Sequence, residues 1–299
     1  MITQESQTSE AVTKTILITG ANSGIGFELT KAFVSMNHHV VMICRDKDRG
    51  ESAKEKILQN YPDGNLDLVL GDLSSNKETK KLAIKLLKQY PAIDILIHNA
   101  GIWKMKRDLN EDGLEETFMV NYLSMFILNY YLLPNVMKSI DPRIILINAG
   151  LYVNGTFDPD KTPYGLEFSK IRTYADSKFC GILFLTYFSK LIQDTKYNRI
   201  TIFGIHPGVF RTNLGIYPSF LGLFVRFAKL FMKSSKKSVP PVQRLCFGNE
   251  INEFPNGQYF DVFKPEDKIT KAHNDTLATS LWQLSEKLTA IDWKNVLEN

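Results

Sequence analysis

The feature that most constrains the fold is a regular alternation of short apolar runs with longer amphipathic segments. The six apolar runs are Thr15–Thr19, His39–Cys44, Leu66–Leu70, Ile93–Ile97, Arg143–Ile147 and Ile200–Ile205. Short runs that are apolar at nearly every position indicate strands buried on both faces, as in a parallel sheet. The segments with helical character are Phe27–Met36, Asp48–Asn60, Asn76–Gln89, Leu114–Ser139 and Tyr174–Gln193. The alternation predicts an α/β fold: a single doubly wound parallel sheet with helices on both faces.

Composition excludes several classes of protein. Of the 299 residues, 44% are hydrophobic and 23% are charged, which is average for a globular protein and excludes collagen, disulfide scaffolds and wholly disordered chains. The net charge of +4 is too small to indicate a nucleic-acid partner. No apolar run reaches the ~18 residues of a membrane span, and Met1–Thr13 lacks the basic and apolar regions of a secretory signal.

Cysteine and histidine spacing indicates neither disulfides nor a metal site. Cys44, Cys180 and Cys246 are far apart and odd in number, so we expect buried thiols in a reducing, cytoplasmic compartment. The five histidines also lack the spacing of metal ligands. We therefore predict chemistry that does not depend on a metal ion.

The sequence predicts one domain with two terminal extensions. We expect a flexible segment over 1–13, one folded domain over 14–263 and a helical tail over 264–299. Leu151–Arg172 is polar and contains glycine and proline, which predicts a long loop, and such loops are usually either functional or disordered. In the tail, an apolar stripe at helical spacing indicates core packing or a dimer contact, which leaves a homodimer open. The stripe consists of Leu277, Leu281, Leu284, Leu288 and Ile291.

A glycine-rich turn follows the first apolar run and opens the first helical segment. Glycines at such a corner let backbone N–H groups at the helix N-terminus approach a pyrophosphate. A tight corner without a ligand is the structural alternative, but the flanking strand and helix are the context that a dinucleotide site requires. The turn predicts a Rossmann-type cofactor domain whose contact residues are Gly20, Asn22, Ser23, Gly24, Ile25 and Gly26.

The end of the second apolar run indicates which dinucleotide binds. An acid about 20 residues after the glycines binds the ribose of NAD, whereas an arginine there accommodates the 2′-phosphate of NADP. Arg45 lies 45 − 26 = 19 positions after Gly26, and its guanidinium can pair with phosphate or stack on adenine. Asp46 follows immediately and keeps NAD open. We predict NADP, with NAD as the less favoured cofactor.

Six motifs occur in order between about Lys14 and Phe260. They are Gly20–Gly26, Gly71-Asp72-Leu73, Asn99-Ala100-Gly101, Val120-Asn121-Tyr122, Tyr174-Ala175-Asp176-Ser177-Lys178 and Pro207-Gly208. Together they resemble the short-chain dehydrogenase/reductase family. The ends Cys44-Arg45-Asp46 and Asn256-Gly257-Gln258-Tyr259-Phe260 resemble its branch of retinol dehydrogenases and the WW-domain-containing oxidoreductase.

The resemblance implies a set of site residues. Besides the glycine-rich turn, it implies cofactor contacts from Arg45, Asp72, Leu73, Asn99, Ala100, Gly101, Tyr174, Lys178, Pro207, Gly208, Val209 and Thr212. It implies that Tyr174, Lys178 and Asn121 are catalytic. In this family pattern Lys178 hydrogen-bonds the ribose hydroxyls, and Asn121 positions Lys178 through a water.

Tyr174 and Lys178 carry the predicted proton chemistry. They lie at i and i+4, so they share one face of a helix. A nearby ammonium favours the phenolate and lowers the phenol pKa from ~10 toward the working pH. Tyr174 can then exchange a proton with a carbonyl or alcohol oxygen as hydride moves to or from nicotinamide. Taken alone, the pair would read as a core aromatic and a solvated charge; the accompanying motifs favour the functional interpretation.

One position departs from the family's pattern. The family carries a serine after the fifth strand that hydrogen-bonds the substrate oxygen, and the resemblance places Ala149 there. Losing one such donor typically costs ~10²–10³ in rate. Asn148 could supply an amide donor instead if the strand end is bulged, and Tyr152 and Thr156 are weaker candidates. We expect a complete cofactor site beside an incomplete catalytic site.

The segment Gly215–Asn249 contains six basic residues and no acid. If Phe220–Lys237 is helical, four phenylalanines share one face and four basic residues lie roughly opposite. Such a helix can cover an apolar substrate as a lid, over about 213–249, or contact an anionic membrane surface as a peripheral protein. We favour the lid, and the same segment could serve both purposes.

These observations predict an NADP-dependent oxidoreductase for a carbonyl or alcohol group of a lipophilic small molecule. The alternative is a catalytically weak, NADP-binding relative that acts as a sensor or scaffold, which Ala149 favours. A membrane-surface binding protein is a third reading, and it depends on the amphipathic segment alone.

Overall fold

The centre of the fold is one eight-stranded sheet, seen in a computed structural model that describes residues 13–208, 235–266 and 274–298. Its strands are β1 (Thr15–Thr19), β2 (His39–Cys44), β3 (Leu66–Leu70), β4 (Ile95–His98), β5 (Arg143–Ile147), β6 (Thr201–His206), β7 (Tyr259–Asp261) and β8 (Lys264–Glu266). Their order is β3-β2-β1-β4-β5-β6-β7-β8, parallel up to β7, with β8 antiparallel. The order reverses between β1 and β4, so the carboxyl ends of these strands border the crevice where such sheets bind ligands.

Helices cover both faces of this sheet. In chain order they are α1 (Gly24–Ser35), α2 (Lys47–Leu58), α3 (Asn76–Gln89), α4 (Glu116–Phe118), α5 (Ser124–Val136), α6 (Lys170–Leu191), α7 (Val239–Phe247), α8 (Asp275–Thr289) and α9 (Lys294–Leu297). One apolar core joins the sheet to α1, α2 and α7, and a second joins it to α3, α5, α6 and α8. The predicted doubly wound α/β fold is confirmed.

Four predicted strands agree with the structure residue for residue, namely β1, β2, β3 and β5. The predicted runs Ile93–Ile97 and Ile200–Ile205 are displaced by one or two residues, to β4 and β6. Among the helices, α3 has its predicted bounds, whereas α6 begins four residues before Tyr174. The central strands are buried on both faces, so their local apolar composition was sufficient to locate them.

The predicted helix Leu114–Ser139 is interrupted in the structure. Its first turn, α4, passes into a π-helix at Met119–Leu123 before α5 begins. Asn121 lies inside the π-helix, where its Oδ1 accepts from Ile102 N at 2.7 Å and its Nδ2 donates to Ile102 O at 3.0 Å. Single π turns inside α-helices occur frequently at functional sites. Here the turn ties Asn121 to the loop that follows β4.

The sheet extends beyond the six predicted strands. Lys264–Glu266, predicted as part of the helical tail, forms the edge strand β8. Lys-Pro-Glu has no β-strand pattern, and a proline is tolerated there because the strand lies at the edge. Gln258 supports it by donating from Nε2 to Glu266 O at 3.1 Å. Tertiary pairing, not local sequence, makes this strand.

The apolar stripe of the tail packs into the core. α8 lies against α6, and Leu281 and Ile291 are almost fully buried. Trp282 contacts Trp293 with ring centres 5.0 Å apart and stacks on Phe188 of α6. Of the two alternatives for this stripe, core packing is the one the structure shows.

Part of the predicted lid lies among the described residues. Ser235–Ser238 forms a 3-10 helix, and α7 packs against α1 with Val242 and Leu245 buried. The residues of α7, within the predicted 213–249 lid, therefore belong to the core between the sheet and α1 rather than to a lid over the site. The remainder of the predicted Phe220–Lys237 helix, up to residue 234, lies outside the described residues.

Candidate functional site

The N-terminus of α1 meets the crevice at the carboxyl end of β1. No described side chain caps it, and its first turn carries no acid. By contrast, Asp46 caps α2 and Ser75 caps α3, and both helices have an acid in the first turn. Gly20 and Gly24 adopt positive φ values of 67° and 59°, which glycine does without strain. An uncapped helix N-terminus behind such a turn fits a pyrophosphate. Around the turn, Asn22, Ser23, Gly24 and Ile25 are half-buried.

The end of β4 holds this turn in place. Asn99 donates from Nδ2 to Thr19 O at 2.8 Å and to Gly20 O at 3.2 Å, and Ala100 N donates to Thr19 Oγ1 at 3.0 Å. A Cβ at Gly26 would lie 2.5 Å from Asn99 Nδ2, so the close approach requires glycine. Asn99 thus shapes the predicted cofactor site through the backbone of the turn.

Arg45 and Asp72 lie at the same edge, after β2 and β3. The Arg45 side chain is exposed next to the glycine-rich turn, since Gly20 N donates to Ile43 O at 2.9 Å. Asp46 accepts from Arg49 N at 2.9 Å as the N-cap of α2. Asp72 accepts from Ser74 N at 2.9 Å, and Leu73 is buried. The structure therefore gives Asp46 a capping role and leaves Arg45 directed to solvent.

Tyr174 and Lys178 lie on α6, buried at the carboxyl edge of β5. Lys178 Nζ is 5.8 Å from the centre of the Tyr174 ring and donates to Ile147 O at 3.2 Å. Burial raises the pKa of Tyr174 and lowers the pKa of Lys178 to about 8. The expected lowering of the phenol pKa is not met in this structure, because the cost of desolvating the phenolate dominates.

Asn121 connects the β4 loop to α6. Besides its two bonds to Ile102, its Nδ2 donates to Ser177 Oγ at 2.9 Å, next to Lys178 in the chain. Asn121 and Lys178 both line a cavity of about 20 Å³. A cavity of this size holds about one water. The three predicted catalytic side chains are thus brought together.

Asn148 and Ala149 follow β5 at the same edge. Asn148 donates from Nδ2 to Lys178 O at 3.1 Å, and its Oδ1 accepts from Ala149 N at 2.9 Å. Asn148 therefore joins β5 to α6 through backbone groups. Ala149 is half-buried, with extended backbone angles (φ −138°, ψ 142°).

The two weaker candidates for the missing donor, Thr156 and Tyr152, each contact another side chain. Thr156 binds Asp176 Oδ1 from its N at 2.7 Å and from its Oγ1 at 3.4 Å. Tyr152 is buried against Tyr259, with ring centres 5.1 Å apart. Both residues belong to the predicted loop Leu151–Arg172, which overlaps 3-10 helices at Gly150–Asn154 and Thr162–Tyr164 and ends inside α6, which begins at Lys170.

Comparison with known proteins identifies the family. The family model described as short chain dehydrogenase matches residues 14–217. The chain belongs to the short-chain dehydrogenase family. Retinol dehydrogenase 14 of Mus musculus is 31% identical over 292 residues, which cover 93% of this chain and 86% of that protein. The WW domain-containing oxidoreductase of Gallus gallus is 29% identical over 284 residues, 92% of this chain and 68% of that protein. The resemblance derived from the motifs is confirmed.

Solved structures share the fold of this short-chain dehydrogenase. A protein from Mycobacterium paratuberculosis has a TM-score of 0.74 at 21% identity, and 94% of each chain is covered. A short chain dehydrogenase from Shigella flexneri, complexed with NADP, has a TM-score of 0.64 at 19% identity and covers 84% of this chain and 97% of its own. At these sequence identities the structural similarity supports the fold alone.

The structure of this short-chain dehydrogenase adds Trp103, a site residue that the sequence motifs did not indicate. Trp103 stacks on Tyr174 with ring centres 4.9 Å apart and planes 16° apart. Its Nε1 donates to Lys170 O at 2.5 Å, in the first turn of α6. The available signal was an aromatic residue two positions after the Asn99-Ala100-Gly101 motif. Trp103 forms an aromatic wall beside the candidate proton donor.

The predicted cofactor contacts after β6 are partly described. Pro207 is buried, and Gly208 has a φ of 113°, a value that favours glycine. Val209 and Thr212 lie outside the described residues. Elsewhere, Cys44, Cys180 and Cys246 are buried thiols, as expected. In the described part of the chain, no helix combines the length and apolarity needed to cross a membrane.

Proposed function

We propose that this short-chain dehydrogenase is an NADP-dependent oxidoreductase acting on a carbonyl or alcohol group of a lipophilic small molecule. The observation that carries the proposal is the placement of the uncapped α1 N-terminus, Tyr174 and Lys178 at one edge of the sheet. The bound nicotinamide would supply or accept the hydride. Tyr174 gives or takes the proton at the substrate oxygen, Lys178 binds the cofactor ribose and Asn121 positions Lys178.

The preference for NADP is supported by the two residues that end β2. A 2′-phosphate needs a cation at this edge, whereas a free ribose needs an acid. Arg45 is exposed beside the glycine-rich turn, and the neighbouring acid, Asp46, caps α2. The Shigella flexneri relative complexed with NADP is compatible with the same choice.

Replacing Arg45 by alanine should weaken NADPH binding roughly 10–100-fold and leave NADH binding nearly unchanged, because a charge-assisted bond to phosphate contributes ~1.5–3 kcal/mol. Titration of both cofactors, followed by NADPH and NADH fluorescence, measures the difference. Arg49→Ala is the matched control, since Arg49 is also exposed and lies one helical turn further on. Equal affinity of the unaltered protein for NADPH and NADH would overturn the preference.

A lipophilic substrate is supported by the segment that precedes Tyr174. Val153, Leu166 and Ile171 are 40%, 60% and 57% exposed, although each is a large apolar residue. Trp103 adds an aromatic face beside Tyr174. Apolar surface near a site favours apolar ligands. The names of the retinol dehydrogenase relatives point to the same class of substrate.

NADPH oxidation with a panel of carbonyl compounds tests the function. We expect turnover with long-chain or aromatic aldehydes, ketones or quinones, and little with short polar aldehydes, because the latter bury too little apolar surface. The measurement is the loss of NADPH absorbance. Tight NADPH binding without turnover of any compound, in either direction, would contradict the oxidoreductase and favour a binding role.

That binding role is the second candidate function. A catalytically weak relative could bind NADP as a sensor or scaffold. Ala149 favours it, because alanine offers no donor to the substrate oxygen, and the raised pKa of Tyr174 points the same way. The bonds of Asn148 to the backbone of Lys178 and Ala149 argue against a simple replacement by its amide.

Location and partners follow from the same proposal. We propose action in the cytoplasm, either free or at an anionic membrane surface through Phe220–Lys237, without a nucleic-acid partner. A homodimer is compatible with the proposal, although α8 uses its apolar stripe inside the chain.

A further inference from the structure

Trp103 lies in a loop after β4 that is fixed on both sides of it. Before it in the chain, Ile102 exchanges two backbone hydrogen bonds with the Asn121 side chain, at 2.7 and 3.0 Å. After it, Lys104 Nζ pairs with Glu116 at 2.6 Å, and Glu116 belongs to α4. The backbone that carries the indole is therefore attached to two neighbouring elements.

The indole of Trp103 is also held by its own contacts. Its Nε1 donates to Lys170 O at 2.5 Å, and its ring stacks on that of Tyr174 with planes 16° apart. Lys170 and Tyr174 both belong to the first turns of α6, so the start of this helix fixes the ring orientation. A side chain locked by packing and hydrogen bonding presents a preorganised wall to a ligand.

This wall limits how a ligand can approach Tyr174. Tyr174 is 5% exposed, and the half-buried indole lies against one face of its ring, with ring centres 4.9 Å apart. Ile171 is 57% exposed and precedes Tyr174 by three positions, so it lies on the same side of α6. A carbonyl that meets the Tyr174 hydroxyl therefore brings its substituents close to fixed apolar groups.

We propose that Trp103 is a specificity-determining residue whose indole selects substrates that are unbranched next to the carbonyl carbon. A branch at that carbon adds a substituent near the reacting oxygen, and the fixed indole must be displaced to admit it. Overfilling a packed site is unfavourable, and a single methylene changes specificity about 10–200-fold. The inference rests on the proposed function, since it takes Tyr174 as the partner of the substrate oxygen.

A matched pair of amides tests this selection without turnover. Heptanamide is unbranched next to its carbonyl, whereas cyclohexanecarboxamide has the same number of carbons and is branched there. An amide carbonyl can accept a hydrogen bond from Tyr174 but resists hydride transfer. Calorimetric titration, with and without saturating NADPH, measures both affinities. We expect the unaltered protein to bind heptanamide about tenfold more tightly than cyclohexanecarboxamide.

Substitutions of Trp103 should remove this preference in order of size. Trp103→Ala should reduce it to about twofold or less, mainly by tightening the binding of cyclohexanecarboxamide. Trp103→Phe keeps a smaller flat ring beside Tyr174, so it should lie between, and it carries the test if the alanine variant does not fold. Tyr131→Ala is the matched control. Tyr131 is also half-buried and contacts another ring, that of Tyr130, with centres 5.1 Å apart on α5.

The outcomes separate the role of Trp103 from the proposed function. With heptanal and cyclohexanecarbaldehyde, the variants should change the ratio of the two kcat/KM values in the same direction and leave NADPH affinity nearly unchanged. A changed amide preference without turnover of either aldehyde supports the role of Trp103 and contradicts the oxidoreductase. An equal loss of affinity for both amides in Trp103→Ala, an unchanged preference, or no binding of either amide to the unaltered protein overturns the proposal.

Discussion

Tyr174→Phe is expected to abolish turnover while NADPH binding survives. Tyr174 is the phenol that lies beside Lys178 at the carboxyl edge of the sheet, with Nζ 5.8 Å from its ring centre. Positioned general acids contribute ~10²–10⁴ in rate, so removing the hydroxyl should cost at least that factor. The aromatic ring remains, so the stacking with Trp103 at 4.9 Å and the fold should be retained. Steady-state rates and NADPH titrations of the two proteins measure both effects.

Tyr187→Phe is the matched control for this prediction. Tyr187 lies on the same helix and stacks on Trp282 with ring centres 4.7 Å apart. It removes one hydroxyl from α6 without touching the candidate site, so its rate should equal that of the unaltered protein. A Tyr174→Phe protein that retained most of its rate would show that the proton comes from another group.

Ala149→Ser is expected to raise the rate constant for carbonyl reduction roughly 10²–10³-fold without changing cofactor affinity. As hydride arrives, the carbonyl oxygen becomes alkoxide-like, and a fixed hydroxyl stabilises that transition state more than the ground state. A well-placed donor contributes ~2–4 kcal/mol. Ala149 is half-buried in extended backbone, so a serine fits its conformation. Rates with one carbonyl substrate, beside NADPH titrations, measure the gain.

Two further variants are controls for the Ala149→Ser prediction. Ala149→Cys has nearly the size of serine but only a weak donor, so it should give little of the gain. Asn148→Ala tests the opposing idea that this amide already serves the substrate. Because Asn148 binds the backbone of Lys178 and Ala149, we expect it to lower stability more than the rate of the folded enzyme. If neither position affects turnover, the end of β5 does not belong to the active site.

The central strands were predictable because their own apolar residues indicate burial on both faces. Each residue of Ile16–Ile18 and of Ile95–Ile97 is fully buried, so both faces of those strands had to be apolar. Lys264–Glu266 lacks that signature, since an edge strand is not buried on both sides and makes its ladder hydrogen bonds to a single partner. The π turn at Asn121 was also unpredictable, because the hydrogen bond that accompanies it joins Asn121 to Ile102, nineteen residues away.

The chemical types in the candidate site could be predicted, but their surroundings could not. The spacing of Tyr174 and Lys178 requires a common helix face. It does not state how deeply that face is buried, and burial is what moves the pKa of Lys178 down to about 8 and that of Tyr174 up. Likewise, Asn148 was a plausible donor from its amide alone, until its bonds to α6 placed it in a structural role.

By itself, the sequence determined the doubly wound α/β fold, the glycine-rich turn that opens α1 and the proximity of Tyr174 to Lys178. These properties depend on local periodicity, on glycine backbone freedom and on helix spacing, all of which can be read within a few residues. Tertiary structure alone decided that Asp46 caps α2, that Trp103 stacks on Tyr174 and that Asn121 and Lys178 line one cavity. Those outcomes depend on which distant residues share a desolvated space, and the chain reveals that only once it is folded.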